Sequence, residues 1–527
     1  MKILSASEMR EVDRVTTERY RVPSLTLMEN AGKSVAEFIQ SRFADLKRRP
    51  VIVLCGKGNN GGDGFVVARY LRKMGAAIDL HFVGNLREVK GGAATNLRRW
   101  KQAGGKVHAE SISLGGGGLG QAHGQIIVDA LLGTGARGAV GGTLAQLIAT
   151  VNERKPGCTV VAVDIPSGLH ADTGEVQGEA VIADFTITFT APKPGMFLGA
   201  GSRHVGELIV CNIGSPSALL EEIGKGNLRW SEPAEFTRFA VPRKPAGYKG
   251  DYGHALVIAG SVGKSGAAVL ASWAALRAGA GLVTVATPEP VLPIVAAHTP
   301  EIMTEPLAAT RAGTVSARCL EGDLLAKLLK GKRALAIGPG LSTEDETQEF
   351  VRSVVRSRST VPVVLDADGL NAFAGRAPEM RNPKGLLALT PHPGEMARLV
   401  GCTTADVQKR RVELALKSAA DWNAYVILKG HHTVTAAPDG RAWINSTGNP
   451  GMGTAGTGDV LTGILAGLTA QYGVESWPEM LAFGVYLHGL AGDIAYRESG
   501  EAPLMASDLI HALPRAYRQF YFECGRG

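Results

Sequence analysis

Gly448 to Gly467 reads GNPGMGTAGTGDVLTGILAG. A glycine-dense loop carries one acid, Asp459, and runs straight into an apolar segment of helical character. Backbone N–H groups in such a loop can turn toward an anion at a helix N-terminus. The acid there is placed to act as a base or to bind a metal; the plainer alternatives are a helix cap or a close-packed turn. A glycine loop leading into a helix is what an α/β protein places at its strand ends, where ligands bind.

Outward from this stretch, short apolar strands alternate with helix-length segments. Upstream lie HALVIAG (His254 to Gly260), LVTVAT, ALAIG, PVVLDAD, LLALTP and AYVILKG, then a hairpin, HTVTAAPDGRAWIN, turning at Asp439-Gly440. An earlier set comprises VIVLC (Val51 to Cys55), IDLHFVG, IIVDALLG, TVVAVDIP, ADFTITFTA and ELIVCNIG. Buried-type strands spaced this way predict mainly parallel sheets covered on both faces. Ser7 to Phe43 reads as helix broken at Pro23, Phe65 to Met74 as helix, and Gly115 to Gly118 as a flexible loop.

The chain has 527 residues, too many for one ordinary domain. The segment EPAEFTRFAVPRKPAGYKGDYG is rich in proline, charge and glycine, and separates the two sets of strands. It predicts domains over 1–224 and 239–520, with Pro242 to Lys249 as an exposed connector. The formal charge of +7 is modest for this length, so anionic small molecules fit as well as nucleic acid, which nothing specifically indicates. Six scattered cysteines without a CxxC pattern suit a reduced, cytoplasmic setting. The N-terminus turns acidic too early for a signal peptide. The most apolar run, Ala267 to Ala286, contains Arg277 and several glycines, so no membrane association is expected.

The first chemical constellation begins with GKGNNGGDG, Gly56 to Gly64, between a strand and a helix. Its glycines and asparagines are comfortable at positive φ, which would let the loop present N–H groups to phosphate. The alternative is a glycine turn in which Asp63 caps the helix. Asp129 ends one strand and is followed by LLGTGARGAVGG; Asp164 ends the next, in VDIPSGL, and Ser167 follows. Strand C-termini converge on one sheet edge, so Asn60, Asp129, Asp164 and Ser167 are expected to meet. Oxygen ligands with few charges suit a large monovalent cation or Mg²⁺ better than zinc.

NNGGDG, DALLGTG and VDIPSG, in that order, resemble the YjeF N-terminal family, the NAD(P)H-hydrate epimerase fold, over about Ser5 to Gly214. The resemblance implies a potassium ion held by Asn60, Asp129 and Ser167. It implies a hydrated nicotinamide nucleotide on Asn59, Asn60, Gly61, Gly62 and Asp63. The same substrate would touch Gly133, Thr134, Gly135 and Ala136, then Arg137, Gly138 and Ala139, together with Asp164. Asp164 is the candidate acid/base group at C6 of the hydrate.

In the second half, LDADGLN, TPHPGE, KGHHT and GTAGTGD resemble the ribokinase-like superfamily, and within it the YjeF C-terminal domain, an ADP- or ATP-dependent NAD(P)H-hydrate dehydratase. The match covers about Tyr252 to Leu513. Together the two resemblances imply an α/β protein of two three-layer αβα domains, a Rossmann-like YjeF-N fold followed by a ribokinase-like fold. They imply adenine nucleotide on Lys429, Gly430, His431, His432, Thr433 and Gly458. They imply hydrate facing Gly340, His392 and Asp459, with Asp459 catalytic and Glu395 organising Mg²⁺ through water. The expected activity is nicotinamide nucleotide repair. R and S hydrates are epimerised, and the S form is dehydrated at the expense of ADP, giving AMP and phosphate. Partners are the hydrates and ADP, in a homo-oligomeric cytoplasmic enzyme. Two rivals remain: a vitamin-precursor kinase in the C-terminal half, and a non-enzymatic RNA-processing scaffold, which retained NNGGDG, Asp129 and Asp164 argue against.

Overall fold

Alternation along single strands shows why both sheets are buried. In β1 (Pro50–Cys55), Val51, Val53 and Cys55 join one core, whereas Ile52 and Leu54 join a separate core on the opposite face. A strand apolar at every position needs helices on both sides, and a parallel sheet supplies them through its crossovers. The computed structural model describes all residues except 110–123, 137, 177, 358–359, 383, 385 and 527. The expected loop at Gly115 to Gly118 lies outside the described residues.

The chain divides into two compact units, Met1–Gly226 and Asn227–Gly527. In the first, β1 is joined by β2 (Ala77–Phe82), β3 (Gln125–Ala130), β4 (Cys158–Val163), β5 (Phe185–Phe189) and β6 (Glu207–Cys211). All pair in parallel in the order β2-β1-β3-β4-β5-β6. The strand order reverses between β1 and β3, and a crevice opens beyond the strand C-termini at such a point.

The second unit holds β7 (Leu228–Trp230), β8 (His254–Ile258), β9 (Leu282–Pro288), β10 (Met303–Leu307), β11 (Ala334–Ile337), β12 (Val363–Leu365), β13 (Leu387–Leu389), β14 (Tyr425–Leu428), β15 (Val434–Ala436) and β16 (Ala442–Ile444). The order is β10-β9-β8-β11-β12-β13-β14-β15-β16-β7, reversing between β8 and β11. The strands from β10 to β14 are parallel. The β15/β16 hairpin is antiparallel, with Gly440 at φ +87° in its turn as the Asp-Gly pair predicts.

The domain limits move. The C-terminal unit starts at Asn227 rather than 239, because β7 pairs with β16 and Phe236 and Phe239 lie in the core. The exposed Pro242–Lys249 stretch is therefore a surface excursion within the second unit, not the connector. Two strands escaped sequence reading. β7 has three residues, and β10, an edge strand reading MTEPL, is mostly exposed and contains proline. We expect fragments 1–226 and 227–527 each to melt cooperatively. A fragment starting at 239 loses β7 and the fully buried Phe236, a cost of about 3–5 kcal/mol for the ring alone. Equal melting temperatures for the 227 and 239 fragments would refute this boundary.

Candidate functional site

The NNGGDG segment forms the first turns of a helix, Asn59–Lys73, not a loop before one. Gly58 is the N-cap, so Asp63 does not cap, and none of Gly61, Gly62 or Gly64 has positive φ. The glycines serve close packing. A Cβ on Gly61 would fall 1.8 Å from Gly56 O, one on Gly62 2.8 Å from Met28 Sδ, and one on Gly64 2.7 Å from Cys55 Sγ. This pulls the positive end of the helix down onto the sheet edge at the topological switch.

Asn60, Asp129 and Ser167 do meet there. Ser167 donates from Oγ to Asp129 Oδ1 (2.6 Å) and from its backbone N–H to Oδ2 (2.8 Å), and Leu131 N–H also donates to Oδ1 (3.2 Å). Asn60 Nδ2 donates to Leu132 O (2.8 Å), and Leu132 N–H donates to Ser167 Oγ (2.8 Å). That fixes the amide orientation and leaves Asn60 Oδ1 buried with no donor among the described residues. Burial raises the Asp129 carboxyl to about 6 despite its hydrogen bonds to Ser167 and Leu131. Gly133 lies against Asn60, where a Cβ would be 3.2 Å from Asn60 Cβ. Of the expected Gly133–Ala139 loop, position 137 lies outside the described residues.

Asp164 follows β4 at φ +66°, a conformation that costs a non-glycine residue about 1–3 kcal/mol. Its Oδ1 accepts from Lys193 Nζ (2.5 Å) and Thr188 Oγ1 (3.1 Å). Lys193 is only 2% exposed; its ammonium also donates to Thr188 Oγ1 (2.7 Å) and Phe189 O (3.3 Å). Sequence reading missed it. Its only signal was a lysine between prolines, APKPG, directly after an apolar strand. Burial, aided by the charge on Asp164, pushes the Asp63 carboxyl well above its ordinary range.

In the second unit LDADGLN, TPHPGE and KGHHT lie at the ends of β12, β13 and β14 of one sheet, whereas GTAGTGD leads into a helix. Asp366, 1% exposed, follows β12 and was not singled out from LDADGLN. It accepts from Lys429 Nζ at Oδ1 (2.8 Å) and from Thr462 Oγ1 at Oδ2 (2.7 Å). Lys429 Nζ also lies 3.8 Å from Glu395 Oε2. Burial lowers the lysine's pKa, but Asp366 and Glu395 outweigh it and hold the ammonium charged. A Cβ on Gly458 would sit 3.2 Å from that ammonium nitrogen and 3.9 Å from Asp366 Oδ2. Gly458, Lys429 and Asp366 are therefore neighbours.

Asp459 is the third residue of the helix Thr457–Tyr472. The N-cap is Gly456 at φ +89°, with no side-chain cap bond, so Asp459 is not the cap. Gly456 is required twice over. Its φ is left-handed, and a Cβ would lie 2.6 Å from Leu270 Cδ1. Burial raises the Asp459 carboxyl to about 7, helped by Asp366 and opposed by Lys429. A carboxyl tuned to neutrality at a helix N-terminus suits general-base work.

The remaining expected residues are more mixed. His392 caps the helix Pro393–Val400: its Nδ1 accepts from Gly394 N–H (3.0 Å) and Glu395 N–H (3.3 Å). In return Glu395 Oε2 accepts the His392 N–H (2.7 Å). The histidine thus has a structural task whatever else its half-exposed ring does. Gly340, at φ +63°, packs against Lys264 and Ala267, and its carbonyl accepts from Ser261 Oγ (2.7 Å). The KGHHT loop is held by buried Arg411, which donates to Leu428 O (3.0 Å) and Lys429 O (3.2 Å). His432 Nδ1 lies 3.1 Å from Asn445 O, and burial drops its pKa to about 3. Thr433 Oγ1 donates to Gly430 O (3.0 Å), and burial lowers the pKa of His431. Positive-φ residues cluster here too. Ser342, Ala367 and His432 follow IGPGL, or lie within LDADGLN and KGHHT. Strain of this kind concentrates at binding sites.

Fold and sites together define a two-unit nucleotide-processing enzyme: a Rossmann-like αβα unit with a dinucleotide-type crevice, and a ribokinase-like αβα unit with an acid behind a glycine turn. Residues 24–195 match the model of the YjeF-related protein N-terminus, and residues 255–515 match that of the NAD(P)H-hydrate dehydratase family. The chain is 44% identical to the bifunctional NAD(P)H-hydrate repair enzyme Nnr of Moorella thermoacetica, covering 99% of this chain and 98% of that one. It is 41% identical to the Nnr of Thermofilum pendens, over 98% and 96%. A solved ADP/ATP-dependent NAD(P)H-hydrate dehydratase from Bacillus subtilis, co-crystallized with ATP/Mg2+, is 34% identical, with 56% of this chain and 99% of that one covered and a TM-score of 0.47. The chain belongs to the family of bifunctional NAD(P)H-hydrate repair enzymes. Among the described residues, no helix is long and apolar enough to cross a membrane.

Proposed function

We propose that the N-terminal unit interconverts the R and S hydrates of NADH and NADPH at C6, and that the C-terminal unit dehydrates the S form using ADP, releasing AMP and phosphate. The observation that carries this reading is the placement of Asp459 in the first turn of its helix, next to Gly458, which packs on Lys429 and Asp366; burial there raises the carboxyl to about 7. Hydroxide is a poor leaving group. Asp459 takes the proton from the C6 hydroxyl as that oxygen attacks the terminal phosphoryl group. Backbone N–H groups of the glycine turn and the Lys429 ammonium offset charge on the transferring group. Phosphate then leaves, pushed out by the ring-nitrogen lone pair, and the C5 proton of the resulting iminium passes to water, so that the C5–C6 double bond of reduced nicotinamide is restored.

The nucleotide is assigned to Lys429 through Thr433 and to Gly458, and the hydrate to Gly340, His392 and Asp459. Among the described residues no three His, Cys, Asp or Glu side chains converge as a direct metal site. Mg²⁺ would therefore be held mainly by nucleotide phosphate oxygens and water, with Glu395 behind the water, and it would neutralise phosphoryl charge.

In the first unit Asp164, held by Lys193 and Thr188, moves a proton to the C6 hydroxyl as it leaves as water, and takes one back from the water that adds to the other face of the ring. The nucleotide lies along Asn59–Asp63 and the Gly133–Ala139 loop. Potassium fits at Asn60, Asp129 and Ser167, because Asn60 Oδ1 is a buried oxygen lacking a donor among the described residues. The ion would supply a fixed positive charge beside the dinucleotide. Replacing K⁺ by Li⁺, or Asn60 by Leu, should slow epimerisation and leave dehydration of S hydrate intact. Equal loss of both activities, or of neither, would count against the ion site.

The reading is tested by supplying hydrate with ADP, with ATP or with no nucleotide, and following reduced nicotinamide. Formation only with nucleotide is expected; nucleotide-independent dehydration would sink it. The pH dependence has a definite sign. The carboxylate is the active form of Asp459, so kcat/KM for the hydrate should rise with pH through about 7 and then level off.

A further inference from the structure

The glycine loop before Asp459 does not hold its shape alone. The helix Trp477–Ser499 lies along it and grips it at several points. Thr447 Oγ1 donates to Tyr486 O (2.8 Å). His488 Nε2 lies 2.9 Å from Thr457 O, in the first turn of the Asp459 helix. Gly489 and Gly492 let the backbones close up: a Cβ on Gly489 would fall 2.2 Å from Thr447 Oγ1, and one on Gly492 2.3 Å from Met452 Sδ. One turn on, Asp493 Oδ2 accepts the Gly448 N–H (2.9 Å) and Oδ1 accepts from Asn449 Nδ2 (2.9 Å). Positions 486, 489 and 493 fall three and four residues apart, on one face of that helix. Asn449 Oδ1 is buried and has no donor among the described residues, so Asp493 is the contact that orients this amide.

We propose that Asp493 is a positioning residue for phosphoryl transfer: by tying down both the backbone and the side chain at the start of the Gly448–Asp459 loop, it presets the N–H groups that receive the transferring phosphoryl group. The proposal rests on the reading of that loop as the phosphate-binding element. Asp493 touches no reacting atom and acts only through Gly448 and Asn449. A loop this rich in glycine loses much conformational freedom on ordering, and an anchored start lowers that cost at the moment of reaction. His488 anchors the other end. Burial holds its pKa at about 4, so the ring is neutral and donates from Nε2.

The test uses the full chain, purified S hydrate and ADP, and reads the single-turnover rate at saturation, the hydrate half-saturation concentration and the melting curve. Asp493→Ala removes both acceptors. At a temperature where the variant is fully folded, the rate should fall on the order of 10- to 100-fold while half-saturation by hydrate changes little, since misplaced groups cost rate. Asp493→Asn still accepts the Gly448 N–H and, once the Asn449 amide turns over, donates to its Oδ1; it should retain most of the rate. Asn449→Ala removes one tether without touching the helix and should lose rate in the same direction. It keeps the question answerable if Asp493→Ala does not fold. A wild-type rate in folded Asp493→Ala or Asn449→Ala, or equal loss in Asp493→Asn and Asp493→Ala, overturns the proposal. Asp459→Asn is run in parallel. If it dehydrates normally, the reading of the loop has failed. If it is dead while folded Asp493→Ala is normal, only the tether has failed.

Discussion

Asp459→Asn should lose dehydration by roughly 10²- to 10⁴-fold while epimerisation continues. The substitution keeps the side chain's size. Asp459 is not the helix cap, because Gly456 fills that position, so no capping bond is lost. The carboxyl is raised to about 7 by burial and by Asp366, so replacing it with a neutral amide removes a costly charge rather than a stabilising one. Melting temperature should therefore hold or rise slightly. What disappears is the proton acceptor. A mixture of hydrate epimers given to this variant should keep interconverting without yielding reduced nicotinamide. Near-normal dehydration by the folded variant would reduce Asp459 to a packing residue.

The mirror experiment is Asp164→Asn, for which a loss of epimerisation of similar size, about 10²- to 10⁴-fold, is expected. Dehydration of purified S hydrate should be spared. Here the structural cost differs. Asp164 is the carboxylate paired with Lys193, which is 2% exposed. Removing one partner of a buried pair leaves the other uncompensated, at about 3–5 kcal/mol. The N-terminal unit should melt at lower temperature, so the assay belongs well below that transition. Lys193→Met tests the same pair from the other side and should also slow epimerisation. Asp164→Asn with normal epimerisation in the folded state would transfer the proton-moving role to another group.

The contrast between the two acids shows what the sequence made legible. Asp164 was legible because it ends an apolar strand, a place where α/β sheets carry chemistry, and Asp459 because its glycine loop runs straight into an apolar helix. Their partners were harder. Asp366 lay inside a quoted motif, LDADGLN, but nothing in its spacing distinguishes it from Asp368; burial and the bond to Lys429 do. The Lys193 ammonium bonds Thr188 and Phe189 nearby, but its salt bridge to Asp164 spans 29 residues. Such pairings come from strand order, not from local pattern. Because glycine and asparagine tolerate positive φ, the NNGGDG segment reads from sequence as an anion-presenting loop or as a glycine turn in which Asp63 caps the helix. In the structure those glycines are helical and are small because Gly56 O, Met28 and Cys55 crowd them. Composition alone does not separate these two uses of glycine. The late start assigned to the second domain has a similar cause. A three-residue strand and two phenylalanines carry little periodic signal, yet they complete its sheet edge and core.

The most direct test of the central claim, two complementary active sites in one chain, starts from R hydrate alone. The purified epimer is given to the whole protein with ADP, Mg²⁺ and K⁺, and reduced nicotinamide and phosphate are followed together. The wild type should form both in step. Asp164→Asn should form almost none from R hydrate but work normally when S hydrate is supplied, and Asp459→Asn should form none from either while converting R to S. Equal dehydration of R and S hydrates by Asp164→Asn, or restored nicotinamide from Asp459→Asn, would contradict the account.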